Sequence, residues 1–114
     1  EGLTLGVKSG ANLEVLLEIL KENPLGGMCS RLSDTVISGQ FEPPGFTLAL
    51  SLKDIAVATE LGRENNVPML LANMMEQIAI QGMNRGWASK DDTILFLLQE
   101  EMTNVNLKTA KQTE

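Results

Sequence analysis

Apolar residues recur at the helical period along nearly all of this 114-residue chain, and no segment alternates as a half-buried strand would. Leu3 and Val7 share one face over residues 1–9, and Gly10 suits the left-handed position beyond a helix end. Asn12 is placed to cap a helix whose buried stripe is Leu13, Leu16, Leu17 and Leu20, with Pro24 and the pair Gly26-Gly27 ending it. Leu32, Val36 and Ile37 mark a shorter amphipathic segment over 28–38, closed by Gly39. The longest predicted helix covers 47–65, with Leu48, Leu52, Ile55, Thr59 and Gly62 on one face. Ala49, Ala56 and Ala58 widen that face, which predicts a central helix covered on several sides. Val67-Pro68 then turns the chain into a helix over 69–85 carrying Met69, Leu70, Met74, Met75, Ile78, Ala79 and Met83. A Met-rich face at this spacing predicts core in preference to an adaptable groove. Gly86 ends it, Ser89-Lys90-Asp91-Asp92 signals the next start, and Ile94, Leu95, Leu97 and Leu98 form the last stripe, with Trp87 packing the junction. Beyond Met102 no period persists, so residues 103–114 read as a mobile tail and 1–102 as one all-α domain.

Composition narrows the partners more than the fold. Hydrophobic residues make up 43% of the chain, yet there are one Trp, three Phe and no Tyr, so aliphatic and Met side chains must fill the interior. The formal charge of -6, without a Lys/Arg cluster, argues against nucleic acid as a partner. Cys29 is alone and His is absent, which rules out an intrachain disulfide and argues against a zinc site. No apolar run approaches the ~20 residues that cross a bilayer, and the default compartment is the cytoplasm. The chain starts without Met, consistent with a processed end or an excised piece.

The candidate chemistry lies where Pro43-Pro44-Gly45-Phe46 runs into Thr47 and on to Lys53-Asp54. Two prolines and a glycine fix the approach, Thr47 can cap the helix, and an adjacent cation and anion follow. Consecutive helical residues point about 100° apart, so Lys53 and Asp54 need not pair with each other. Taken alone, Lys53 reads either as a surface lysine or as a cation that grips an anionic group. No Gly-x-Gly-x-x-Gly follows a strand, and Gly26-Gly27 lacks the Gly-Lys-Ser/Thr ending of a phosphate loop. Arg31 and Asp34 read as a solvated pair, and Cys29 as a small buried hydrophobe in preference to a reactive thiol.

The phrase Gly45-Phe46-x6-Lys53-Asp54, followed by Ile55-Ala56-Val57-Ala58 and then Val67-Pro68-Met69, resembles the C-terminal domain of the β-hydroxyacid dehydrogenases, the family that includes 3-hydroxyisobutyrate dehydrogenase. The resemblance runs from Glu1-Gly2-Leu3-Thr4-Leu5-Gly6-Val7-Lys8-Ser9-Gly10, which looks like the end of the family's interdomain helix, to about Glu101. It implies the all-α fold of the 6-phosphogluconate and β-hydroxyacid dehydrogenase C-terminal domains. It also implies hydride transfer from a small hydroxyacid to NAD or NADP, with Lys53 contacting the cofactor, Asp54 supporting the catalytic site and Phe46 shaping the substrate pocket. The family's general base, a lysine in a Lys-x-x-Asn-Asn pattern, and its Rossmann domain would lie upstream of Glu1. The chain alone is therefore expected to be inactive and to bind no cofactor tightly, with its Rossmann domain as partner and a homodimer as the default assembly. The turn from Pro24 to Cys29 departs from the family's Gly-Arg/Ser-rich and aromatic text, which puts pocket or dimer contacts there in question. Two rivals remain open: a non-catalytic helical association module, and a dehydrogenase homologue whose site has decayed.

Overall fold

A computed structural model describes residues 6–22 and 26–108, and every regular element among them is helical. In chain order these are α1 (Leu13–Lys21), α2 (Gly26–Leu32) continuing into a π-helical turn (Ser33–Ile37), α3 (Leu48–Glu64), α4 (Leu70–Asn84), a 3-10 turn (Asp92–Leu95) and α5 (Phe96–Thr103). The chain is all-α. It divides into two compact units, one formed by residues up to Phe41 together with those from Phe96 onward, the other spanning Glu42–Leu95.

In the first unit, the Val15 N–H donates to Asn12 Oδ1 at 3.1 Å, the cap expected from sequence, and Leu13 and Leu17 are buried. Gly26 and Gly27 do not end a helix; they open α2. A Cβ on Gly26 would lie 2.8 Å from the Lys21 carbonyl oxygen, so only glycine lets α2 start against the last turn of α1. The π-helical turn buries Val36 and Ile37, and Ser33 and Thr35 return their hydroxyl protons to the carbonyls of Cys29 and Arg31. Leu13, Leu17, Leu32, Val36, Ile37 and Leu107 form the core, with Val7, Phe41, Phe96 and Val105 packed on it. Cys29 is buried, as its reading as a small hydrophobe requires. Leu3 lies outside the described residues, as do residues 23–25 and 109–114.

The expected tail from residue 103 does not hold over 103–108. Leu107 is 1% exposed, and its N–H donates to Glu100 Oε1 at 2.6 Å. Two isolated apolar residues, Val105 and Leu107, carry no periodicity, yet both pack on a core assembled from distant parts of the chain. Lys8 Nζ also donates to the Thr103 carbonyl at 2.9 Å, which fixes the end of α5.

In the second unit, α3 and α4 are joined by five residues and pack against each other as a helical hairpin. Apart from Leu48 in the first turn of α3, the buried positions are small: Thr59 and Gly62 on α3, Ala79 and Gly82 on α4. Thr59 Oγ1 lies 2.9 Å from Glu76 Oε2 and 3.0 Å from the Ala56 carbonyl, sharing one proton between two acceptors. Both helices end on a residue with positive φ, Asn66 at 55° and Gly86 at 78°. In each case the next N–H, of Val67 or Trp87, reaches back to the carbonyl of Gly62 or Gly82, which is the Schellman arrangement.

Small residues in the seam overturn two expectations. Leu50, Val57 and Leu61 are exposed, so α3 is not covered on several sides. On α4, Met74 is 58% exposed, Met75 43%, and Leu70 and Leu71 more than either, whereas Ile78 and Met83 are half-buried and Ala79 is buried, so the Met-rich face is only partly covered in this unit. The helical period marked an apolar side without distinguishing large residues from the glycine and alanine that let helices approach closely.

Candidate functional site

The loop before α3 is held by the segment 88–92. The Leu48 N–H donates to the Lys90 carbonyl at 2.9 Å, the Ala49 N–H to the Ala88 carbonyl at 3.0 Å, and the Asp92 N–H to the Phe46 carbonyl at 2.9 Å. Thr47 and Asp91 form an antiparallel bridge between the two segments. Thr47 caps α3 as expected, its Oγ1 accepting from the Leu50 N–H at 3.3 Å. The Lys90 ammonium pairs with Glu42 at 2.8 Å, across partly exposed side chains.

Asp91 is the centre of this arrangement. Its side chain is 1% exposed and accepts on both oxygens: Oδ2 from the N–H of Gly45 at 2.8 Å and of Phe46 at 3.4 Å, Oδ1 from the Thr93 N–H at 3.0 Å and the Thr93 hydroxyl at 2.6 Å. A buried carboxylate is tolerated where such donors replace its water. In the sequence Asp91 stands only as part of a helix-start signal. The start it serves is the 3-10 turn at Asp92–Leu95, with α5 beginning only at Phe96. The Asp-x-Thr spacing of Asp91 and Thr93, the side-chain turn pattern, was the signal that could have singled it out.

Downstream of that junction, Lys53 and Asp54 are both exposed on α3. No hydrogen bond or ion pair to another described residue engages either side chain. Phe46 is half-buried, between the loop and the first turn of α3. The N–H groups of Leu48, Ala49 and Leu50 are all taken by protein acceptors, so the start of α3 is not a free cradle for a phosphate. Trp87 is half-buried, with the Arg85 guanidinium 5.4 Å over its ring.

Two concave surfaces lie elsewhere. A cavity of about 310 Å³ in the first unit is lined by Leu13, Glu14, Leu17, Glu18, Lys21, Ser33 and Ile37. An apolar groove of about 320 Å³ in the second lies among Ala58, Leu61, Gly62, Asn65, Val67 and Met69. Phe46, Lys53 and Asp54 line neither. Among the described residues no three His, Cys, Asp or Glu side chains come together as a metal site would need, and no helix is long and apolar enough to cross a membrane.

Fold and site thus define an all-α domain that presents a lysine and an aspartate to its surroundings from a helix whose entry is firmly held, with no nucleotide fingerprint of its own. The family described as NAD-binding of NADP-dependent 3-hydroxyisobutyrate dehydrogenase matches residues 1–98. The chain is also 33% identical over 109 residues to 2-(hydroxymethyl)glutarate dehydrogenase of Eubacterium barkeri, an alignment covering 94% of this chain and 36% of that protein. The chain belongs to the β-hydroxyacid dehydrogenase family, and it spans little more than a third of the length of this relative.

Proposed function

We propose that this chain is the helical C-terminal domain of an NAD(P)-dependent β-hydroxyacid dehydrogenase, supplying cofactor and substrate contacts to a site that a Rossmann domain completes. The observation that carries this reading is the exposed, unengaged pair Lys53 and Asp54 on a helix fixed at its entry, in a chain whose family is described by NAD binding. A cation without a partner among the described residues fits a polar group of a cofactor held by another domain. The chain has no glycine fingerprint and the α3 donors are already used, so the pyrophosphate is held outside it.

In this division of labour Lys53 donates to the cofactor, and Phe46 presents an apolar face to the substrate. Asp54 accepts a charge-assisted hydrogen bond that orients either the upstream lysine base or the substrate hydroxyl. NAD or NADP, when bound, supplies the hydride acceptor. The exposed Leu and Met side chains of α3 and α4 favour burial against another surface, consistent with a homodimer. They also support the second reading, a non-catalytic association module, which predicts association without any cofactor role.

The chain alone should form no reduced cofactor from a β-hydroxyacid with NAD or NADP, followed by absorbance, whereas the polypeptide that includes a Rossmann domain should. Appreciable turnover by the 114-residue chain would defeat the proposed division.

A further inference from the structure

We infer that Asp91 is a positioning residue for substrate, acting through Phe46; this rests on the reading of Phe46 as a substrate contact. Asp91 is 1% exposed, and its carboxylate meets at least four donors, with two or more on each oxygen. Gly45 and Phe46 lie 46 and 45 residues away in sequence, so Asp91 joins two segments that helix formation alone would not bring together. Thr93 holds Oδ1 through both its N–H and its hydroxyl, which turns Oδ2 toward the loop. The Phe46 carbonyl is held as well, by the Asp92 N–H, so the backbone on both sides of the aromatic side chain is tied to one short segment.

The chemistry of the carboxylate, rather than its size, does this. Asparagine has nearly the same shape but offers one acceptor oxygen and one NH2 group. With the oxygen toward the loop, its NH2 faces the Thr93 N–H, and the loop N–H groups keep only a neutral acceptor. Turning the amide oxygen toward Thr93 satisfies the shorter contacts and leaves the loop N–H groups without an acceptor. Either way the loop, and with it the direction of Phe46, is held less firmly while both flanking helices keep their own bonds.

The test uses Asp91→Asn, with the milder Thr93→Val as a second variant that keeps the Thr93 N–H bond. In the 114-residue chain, amide hydrogen exchange read by NMR should speed up about tenfold or more at Gly45 and Phe46 in Asp91→Asn, the scale of one lost charge-assisted bond. Amides in the middle of α4 should keep their rates. In the complete enzyme, Asp91→Asn should raise the hydroxyacid KM about tenfold with a smaller change in the NAD(P) KM. Thr93→Val should move the same parameter less, and Asp91→Asn should add little on top of Phe46→Ala. Unchanged exchange at Phe46, or equal acceleration throughout α4, overturns the inference. So does a raised hydroxyacid KM in Phe46→Ala that Asp91→Asn does not share. If Phe46→Ala itself leaves the hydroxyacid KM unchanged, the failure lies in the reading of Phe46, and exchange at Gly45 and Phe46 still decides whether Asp91 holds the loop.

Discussion

Replacing Gly82 by alanine adds one methyl group to the buried seam of α4 and sets two opposed effects against each other. In a helix interior, alanine is favoured over glycine by about 0.5–1 kcal/mol, because glycine loses more backbone freedom on folding. Against that, the new Cβ would lie 2.6 Å from Leu48 Cδ2, 2.8 Å from Leu95 Cδ2 and 3.5 Å from Trp87 Cε3. The first two are too short for carbon, so something must move. Leu48 is fully buried and cannot swing into solvent, which makes relief expensive. Overpacking of this kind costs about 1–3 kcal/mol, so the clash should win and the net effect should be a loss of about 1 kcal/mol. Gly27→Ala is the control: nothing lies within 4 Å of its Cβ, and a gain of about 0.4–1 kcal/mol is expected. Urea unfolding of the chain, followed by helical circular dichroism and by the fluorescence of Trp87, the chain's one tryptophan, gives both midpoints. A Gly82→Ala variant as stable as the parent would refute the close packing of Gly82 against Leu48 and Leu95.

Three further substitutions test other parts of the fold. Leu107→Ala should cost about 2–5 kcal/mol in the same unfolding experiment, whereas a true tail residue would cost nothing measurable. Thr59→Val keeps the volume of a fully buried side chain but removes the hydroxyl that faces Glu76, and a loss of about 1–3 kcal/mol is expected; no loss would mean that Glu76 finds another donor. Glu42→Gln removes the exposed ion pair with Lys90 and should change stability by less than about 1 kcal/mol, so a larger loss would show that this pair holds the loop instead of Asp91.

Helices were legible from sequence because their signals are local: Asn12 and Thr47 cap where expected, and Gly86 ends α4. What the pattern could not carry is which apolar residues meet. Leu107 has no periodic neighbours and is buried, while Met74 and Leu70 lie in a strong helical pattern and are exposed, because Gly62, Ala79 and Gly82 occupy the seam. Of the candidate site, the loop, the cap and the Lys53-Asp54 pair stood out from their order in the chain. Asp91 did not, since its role depends on two N–H groups far away in sequence, and a carboxylate before a helical turn reads first as a cap.

Lys53→Ala in the complete enzyme addresses the central claim most directly. Lys53 is exposed, so its loss should leave folding stability within about 0.5 kcal/mol of the parent, and any functional effect can be read without a folding defect. Titration of the enzyme with NAD and with NADP, alongside steady-state kinetics, should show cofactor binding weakened about tenfold, with the hydroxyacid KM moved less. Unchanged cofactor affinity together with unchanged turnover would remove Lys53 from the site and leave the helical domain without its proposed part in the reaction.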